Sequence, residues 1–515
     1  MTEFNLIEDP WIPCIDGSGR TIYLGIHETL SRSKKLREID HPSPLVTASL
    51  HRLLIALIHR THGPKDNSVW MQLWRKGAWN DAELEAYLDR WHDRFELLNG
   101  SHRFYQSALA TGAQSVPISK IVLERASGNN TTLFDHTPTE TPLSAAEAAC
   151  YLVSAQAYAV GGLMTPTPGV ASSRSARDSH LIRGAMGLVR GRDLFETLML
   201  NLCDYDCRHD LPYRMDPSDR PAWEVDTAAP AERYPLGWLD LLTWQSRRVL
   251  LHAEGSHVTR VTLLMGDTFP STWHPKDMEM MIAYQKNPKA VGLQDPYPAI
   301  GISEERALWR DSRSLFASVD GGRGLGIVEF LAKRQDALAT EQVFPVDLMG
   351  LSKDQAKLLL WRHERVDLPL RLVAGSNNSG SALEALRIAL DAAESAGDEL
   401  RKAMDNFATV LLQPAGARTP SRKEVRALRT TLYREGQYWH RLDAPFTEFL
   451  YALAKSRSKT DEHLSDWIGK VVAAAKGTFT EVVTSLGGSP RVLKADSQAT
   501  PSFHAGLRKL GSVAS

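Results

Sequence analysis

From about Ser381 to Ser515 the chain repeats alanine, leucine and charge at helical spacing, and no other stretch constrains its fold as tightly. Segments near 381–412, 421–453, 461–486 and 501–511 are separated by Gln413-Pro414-Ala415-Gly416, by the basic run 455–459 and by Gly487-Gly488-Ser489-Pro490. Long amphipathic runs with short breaks predict an antiparallel four-helix bundle over 381–515. The 1–375 stretch mixes short β-branched runs with helical periodicity and predicts a large mixed α/β domain, so the expected class is α+β. At 515 residues the chain is too long for a single core, which fits this division.

Charge separates the two parts. The whole chain carries a net −1, which argues against a generally cationic nucleic-acid binder. From Ser381 onward there are 19 Lys and Arg against 15 Asp and Glu, so the bundle is the mildly basic part. Its most basic piece is 418–429, with Arg418, Arg422, Lys423, Arg426 and Arg429. Such a run is either a solvated helix face or a phosphate-contacting one. No signal peptide or long apolar span is evident, and the four cysteines suit a reducing compartment, so a cytoplasmic protein is expected. Cys203-x3-Cys207 with His209 lies at the edge of zinc spacings and reads as plain reduced cysteine, with no metal or cofactor expected.

Within the first domain, 4–24 reads as two strands around Asp16-Gly17-Ser18-Gly19. Helices are expected over 42–60, 80–98, 143–160 and 192–202, and another from Leu308. Val258–Leu264 is a β-branched run. Between these lie the polar loop 128–142, with Phe134 beside Asp135 and His136, and the basic stretch 161–201. That stretch opens on Gly161-Gly162 and carries Arg174, Arg177, Arg183, Arg190 and Arg192. Glycines let a backbone approach a ligand closely, and arginines bind phosphate in a fork; a left-handed helix cap at Gly161 is the structural alternative. Lys276, Lys286 and Lys289 interleave with Trp273, Tyr284 and Tyr297, a texture shared by nucleic-acid grooves and solvated loops. The turn Gly350–Lys357, with Lys353, Asp354 and Gln355, interrupts an apolar run; it reads as a polar turn or as an ordinary helix start.

No P-loop, nucleophile elbow, HExxH pair or Rossmann glycine set is present, and Gly321-Gly322-Arg323-Gly324-Leu325-Gly326 lacks the GK[ST] of a phosphate loop. The expected function is therefore not enzymatic. Two alternatives stay open: a metal-dependent nuclease or hydrolase using scattered His and Asp, and a structural adaptor whose loops meet only protein.

An ordered set of segments then resembles one family. These are FNLIEDPWIP (4–13), LFDH (133–136) before an alanine-rich helix and Gly-Gly, RGRDLFETLMLNL (190–202), ALWRD (307–311), and MGLSKDQAK (349–357) with RHE after it. Together they resemble the CasA-type large subunit of the type I-E CRISPR surveillance complex (Cascade), across essentially the whole chain. The resemblance implies a non-catalytic protein. It would recognise the protospacer-adjacent motif in double-stranded DNA, help open the duplex and recruit a helicase-nuclease. Guide-RNA pairing reads the sequence in such a system, while protein reads the short motif. The implied partners are the other Cascade subunits, the crRNA 5′ end, target DNA and that effector, with no membrane. By resemblance, Phe134, Asp135 and His136 lie near the crRNA 5′ end, Gly161 and Gly162 approach the minor groove, and Lys353, Asp354 and Gln355 form a strand-separating hairpin tip. A minor-groove lysine of some members has no match, because Met265-Gly266-Asp267 stands there; Lys276 and Arg260 are the nearby substitutes. Cysteine pairs that other members carry have no clear counterpart.

Overall fold

A computed structural model describes residues 3–125, 140–164, 175–204, 218–226, 228–292, 294–334, 337–339, 342–355, 357–373, 379–413, 418–455 and 459–511. Phe134, Asp135, His136, Arg174, Cys207 and His209 lie outside the described residues. The fold is α+β. The chain forms two compact units: one of residues 1–304, 314–337 and 344–365, the other of 305–313, 338–343 and 366–515.

The first unit is built around the helix Pro44–His62. Its start is fixed by Ser43, whose hydroxyl accepts from the Val46 N–H, and by Pro44 in the first turn. Fifteen of its nineteen residues are buried, which is why the sequence there is apolar almost all round. Against it packs the helix Ala145–Ala157, opened by a reciprocal capping box between Ser144 and Glu147. Three antiparallel sheets surround this core. One pairs Ile12–Asp16 with Thr21–Leu24 and Leu36–Ile39, the second is centred on His257–Met265, and the third sets Met186–Val189 beside Val343–Asp354. A short ribbon pairs Gly162–Leu163 with Ser175–Ala176.

Several boundaries differ from the sequence reading. The 80–98 segment is a helix only over Asp81–Arg90, followed by a 3₁₀ turn His92–Phe95, and a further helix Asn67–Lys76 precedes it. The 143–160 helix stops at Ala157, so Gly161 is not its cap. The 192–202 helix covers only Leu194–Leu200, buried on every side, and the Asp193 carboxylate caps the Glu196 N–H. The polar turn at 350–357 is not a helix start: Val343–Asp354 and Lys357–Pro369 form a long β-hairpin.

In the second unit the helix Ser379–Leu412 packs against Thr460–Ser485 and Pro490–Gly511. The expected second segment divides into Arg422–Leu432, Glu435–His440 and Asp443–Lys455, because Tyr433 turns extended and buries its ring. The expected fourth segment starts eleven residues early, at Pro490, where proline fits a first turn. Pro501 sits inside that helix, where a lost backbone bond costs about 3 kcal/mol. Burial of Val492, Ala495, Ala499, Phe503 and Leu507 on one face offsets that cost. Tryptophans close the core. Trp467 donates to the Ala389 carbonyl (2.9 Å), Tyr438 to the Ala393 carbonyl (2.8 Å), and Trp309 to Asp443 (2.7 Å).

Candidate nucleic-acid interface

The glycine pair divides into two different positions. At Gly161 a Cβ would stand 2.8 Å from the Ala176 carbonyl oxygen and 2.9 Å from the Asp178 nitrogen, so only glycine lets the ribbon close. At Gly162 a Cβ would meet nothing within 4 Å, but φ is +150°, a conformation side chains rarely adopt. Gly161 is thus held by its own protein, while Gly162 presents bare backbone to open space. Leu163 beside it is 91% exposed.

The ribbon's base is fixed from below. The buried Arg247 guanidinium donates to the Val160 and Arg177 carbonyls, both at 3.0 Å, and so bridges the two chain segments that flank the ribbon at its base. Burial pulls this arginine down to about 10, with the nearby Asp178 charge acting the other way, and it stays cationic at neutral pH. Ser179 adds a hydroxyl bond to the Ala157 carbonyl (2.7 Å). Behind these, Arg52 and Glu279 form a two-pronged buried ion pair, both prongs 3.0 Å, and His180 reaches the same carboxylate at 3.1 Å. Burial alone would push the Glu279 carboxyl up; the Arg52 charge and the His180 bond leave it far below the ordinary carboxylate range.

The hairpin tip meets the ribbon at one carboxylate. Asp178 Oδ1 accepts from the Gly161 N–H (2.7 Å) and from the Lys353 ammonium (2.7 Å), while Oδ2 lies 3.5 Å from Arg183. Lys353 also donates to the Gln355 carbonyl (2.8 Å). Gln355 has φ +51°, in the left-handed region that two-residue hairpin turns require and that Asn or Gly usually fill. The hairpin is anchored by its pairing with Met186–Val189, in the register Val346↔Val189 to Met349↔Met186. That strand directly follows the 3₁₀ turn His180–Arg183. The chain path therefore brings Gly161, Gly162, Arg183, Lys353 and Gln355 together, although they come from distant parts of the sequence.

 In sequence, Gly161 and Lys353 stand far apart; in the fold they share one carboxylate, and Lys353 also holds the Gln355 carbonyl.

The other expected contacts vary in how far they are engaged. Arg177 donates to the Phe269 carbonyl (2.8 Å) and pairs with Glu232 (3.5 Å). Arg190 is buried against Asp347 and Glu38, and Arg192 is paired with Glu196, so neither presents a free guanidinium. Lys276 pairs with Asp277 (2.6 Å) and lies over the Tyr297 ring, and Arg260 is held by Ser115. Lys286 and Lys289 are exposed, with no ion pair among the described residues. At Met265-Gly266-Asp267 the backbone passes so close to Gln245 that only glycine fits, and Asp267 is buried against Arg233 and Arg248. Asp354 is exposed next to the turn.

In the second unit Arg422, Lys423 and Arg426 are exposed along the helix Arg422–Leu432. Arg429 is not part of that face: it pairs with Asp405 (2.9 Å) and Glu435 (3.5 Å). Arg434 extends the exposed face instead, lining a shallow groove with Lys423, Arg426 and Thr430. Sequence reading missed Arg434 because it falls after a helix break, and Asp178 because an acid among arginines looks like simple charge balance.

The chain matches the family model of CRISPR-associated protein Cse1 over residues 5–478. It is 34% identical to the CasA/Cse1 protein of Thermus thermophilus, covering 99% of this chain and 98% of that one. The chain belongs to the CasA/Cse1 family. The solved Cse1 structure of Thermobifida fusca superposes with a TM-score of 0.84 at 26% identity, covering 100% of this chain and 99% of that one. A chain of a CRISPR RNA-guided surveillance complex shares the fold, with a TM-score of 0.76 at 20% identity, 98% of this chain and 100% of that one. Among the described residues of this Cse1-family chain, no group of three or more His, Cys, Asp or Glu is placed to hold a metal ion. Nor is any described helix long and apolar enough to cross a membrane.

Proposed function

We propose that this chain is the non-catalytic large subunit of an RNA-guided DNA surveillance complex, where it recognises the motif flanking the target and helps open the duplex. One observation carries the reading: Gly161, next to the bare Gly162 backbone, and Lys353, which holds the Gln355 carbonyl at the hairpin tip, both bond the Asp178 carboxylate. A minor groove about 6 Å wide admits backbone but excludes most side chains, and its A·T-versus-G·C pattern is degenerate. Recognition by Gly162 is therefore permissive and sensitive to groove shape. Arg183, 70% exposed, adds a phosphate contact. Phe134, Asp135 and His136 are proposed to meet the crRNA 5′ end, and Lys286 and Lys289 to add cationic surface beside the duplex. The remaining partners are the other Cascade subunits and the helicase-nuclease, recruited after opening.

Gln355 follows as the wedge at the first opened base pair. Replacing it with alanine in the assembled complex is expected to slow opening of an intact target roughly tenfold, about 1.4 kcal/mol of barrier. A target carrying a pre-opened bubble should be bound as before. Equal losses on both targets would show that Gln355 supports binding in general and does not separate strands.

The exposed face of Arg422, Lys423 and Arg426 is proposed to hold a DNA strand through its phosphates. Changing all three to alanine should reduce the slope of log affinity against log salt by up to about 3, since each released counterion contributes roughly 0.9. An unchanged slope in a salt titration would make this a solvated face. Arg429, held by Asp405 and Glu435, should have little part in that slope.

A further inference from the structure

Asp178 stands where the two working parts of the proposed interface join. Its side chain is 12% exposed, and its partner Lys353 is 17% exposed, so water screens this pair less than a surface bridge. The contacts form one chain of hydrogen bonds: Gly161 N–H to Asp178, Lys353 to Asp178, and Lys353 to the Gln355 carbonyl. Each link is 2.7–2.8 Å. The ribbon cannot shift at Gly161 without disturbing that carboxylate, since a Cβ there would already sit 3.0 Å from Asp178 Oδ1. Nor can the hairpin tip move freely, because the same ammonium holds the carbonyl of its left-handed residue. A non-glycine residue in that conformation costs of order 1–3 kcal/mol and persists only where its surroundings hold it.

We infer that Asp178 is a positioning residue that couples the glycine ribbon to the hairpin tip, so that seating the flanking motif at Gly162 sets Gln355 for strand opening. This rests on the functional reading above and adds to it a named link between recognition and opening. Arg183 ends on the same carboxylate, so a phosphate drawing Arg183 away would alter the charge balance at Asp178 and be felt by Lys353.

The test uses the crRNA-loaded complex reconstituted with the full chain. Its DNA probes are intact duplexes with favoured or scrambled flanks, and the same duplexes with a pre-opened bubble. Asp178→Asn keeps an acceptor for the Gly161 N–H and removes the charge that holds Lys353; Lys353→Met removes the other half of the pair. Each variant should slow opening of the favoured intact duplex about tenfold, the scale of an ordinary coupling between sites. Binding of the bubbled duplex with the favoured flank should stay within about twofold for Asp178→Asn, and the double variant should open the intact duplex no more slowly than either single one. Wild-type opening by Asp178→Asn, equal loss on the bubble, or additive losses in the double variant would each overturn the inference. If the wild-type complex itself ignored the flank, the functional reading would fall, and the coupling with it. Flank dependence retained in wild type with no effect of Asp178→Asn would remove the coupling alone.

Discussion

Gly162→Arg is expected to weaken binding of the assembled complex to intact target duplex by roughly 30–100-fold, or about 2–3 kcal/mol. Two effects add. The backbone at φ +150° is unfavourable for any side chain, and an arginine there would fill the space that the groove must enter. Charge works in the opposite direction, since a new guanidinium would attract phosphate. Tighter binding would therefore show that electrostatics, and not backbone approach, governs this position. Gly162→Ala separates the contributions, because it keeps the backbone strain and adds only a methyl group. It should fall between wild type and Gly162→Arg in an equilibrium titration on duplexes with the favoured flank. Leu163 needs no rearrangement in either variant, as it already stands in solvent.

Glu279→Ala is expected to destabilise the first unit by about 3–5 kcal/mol, because it leaves the Arg52 charge buried without an opposite charge. Glu279 is fully buried and Arg52 nearly so, so water cannot take the missing partner's place. Replacing both, with Arg52→Met and Glu279→Leu, should recover most of the loss, since apolar side chains of similar volume often substitute for a buried pair. Denaturant unfolding of wild type and the two variants checks this, and a loss under about 1 kcal/mol in Glu279→Ala would mean that the pair adds little.

The same cluster sets a pH dependence. The folded Glu279 carboxyl lies below its unfolded value, so its stabilisation is present above the ordinary carboxylate range and is lost as pH falls through and below it. Burial also lowers His180, which resists protonation in the folded state and removes stability as pH drops below about 6.5. Both act in one direction, and acidification should loosen the wall behind the ribbon.

Much of this was legible in the sequence for particular reasons. The apolar periodicity at 42–60 and the alanine, leucine and charge periodicity at 381–412 each predict a helix, and the helices Pro44–His62 and Ser379–Leu412 form there. Helix ends were harder. Pro501 looked like a start, yet the buried face from Val492 to Leu507 carries the helix through it. At 421–453 the periodicity is unbroken, but burial of Tyr433 interrupts the backbone. The glycine pair and the Gln355 turn stood out as local features, whereas Asp178 acquires meaning only from its three partners. Arginine count misled in a similar way. Arg190, Arg192 and Arg429 lie in basic stretches but are neutralised by acids of their own unit. A sequence shows how many cations a segment carries, and only the fold shows which remain available to phosphate.

The most direct test compares the crRNA-loaded complex with and without this chain, by gel shift on target duplexes that differ only in the flanking motif. Discrimination between flanks is expected only when the chain is present, and intact duplexes should depend on it more than bubbled ones. Equal discrimination without the chain would place motif reading in another subunit and not in this one.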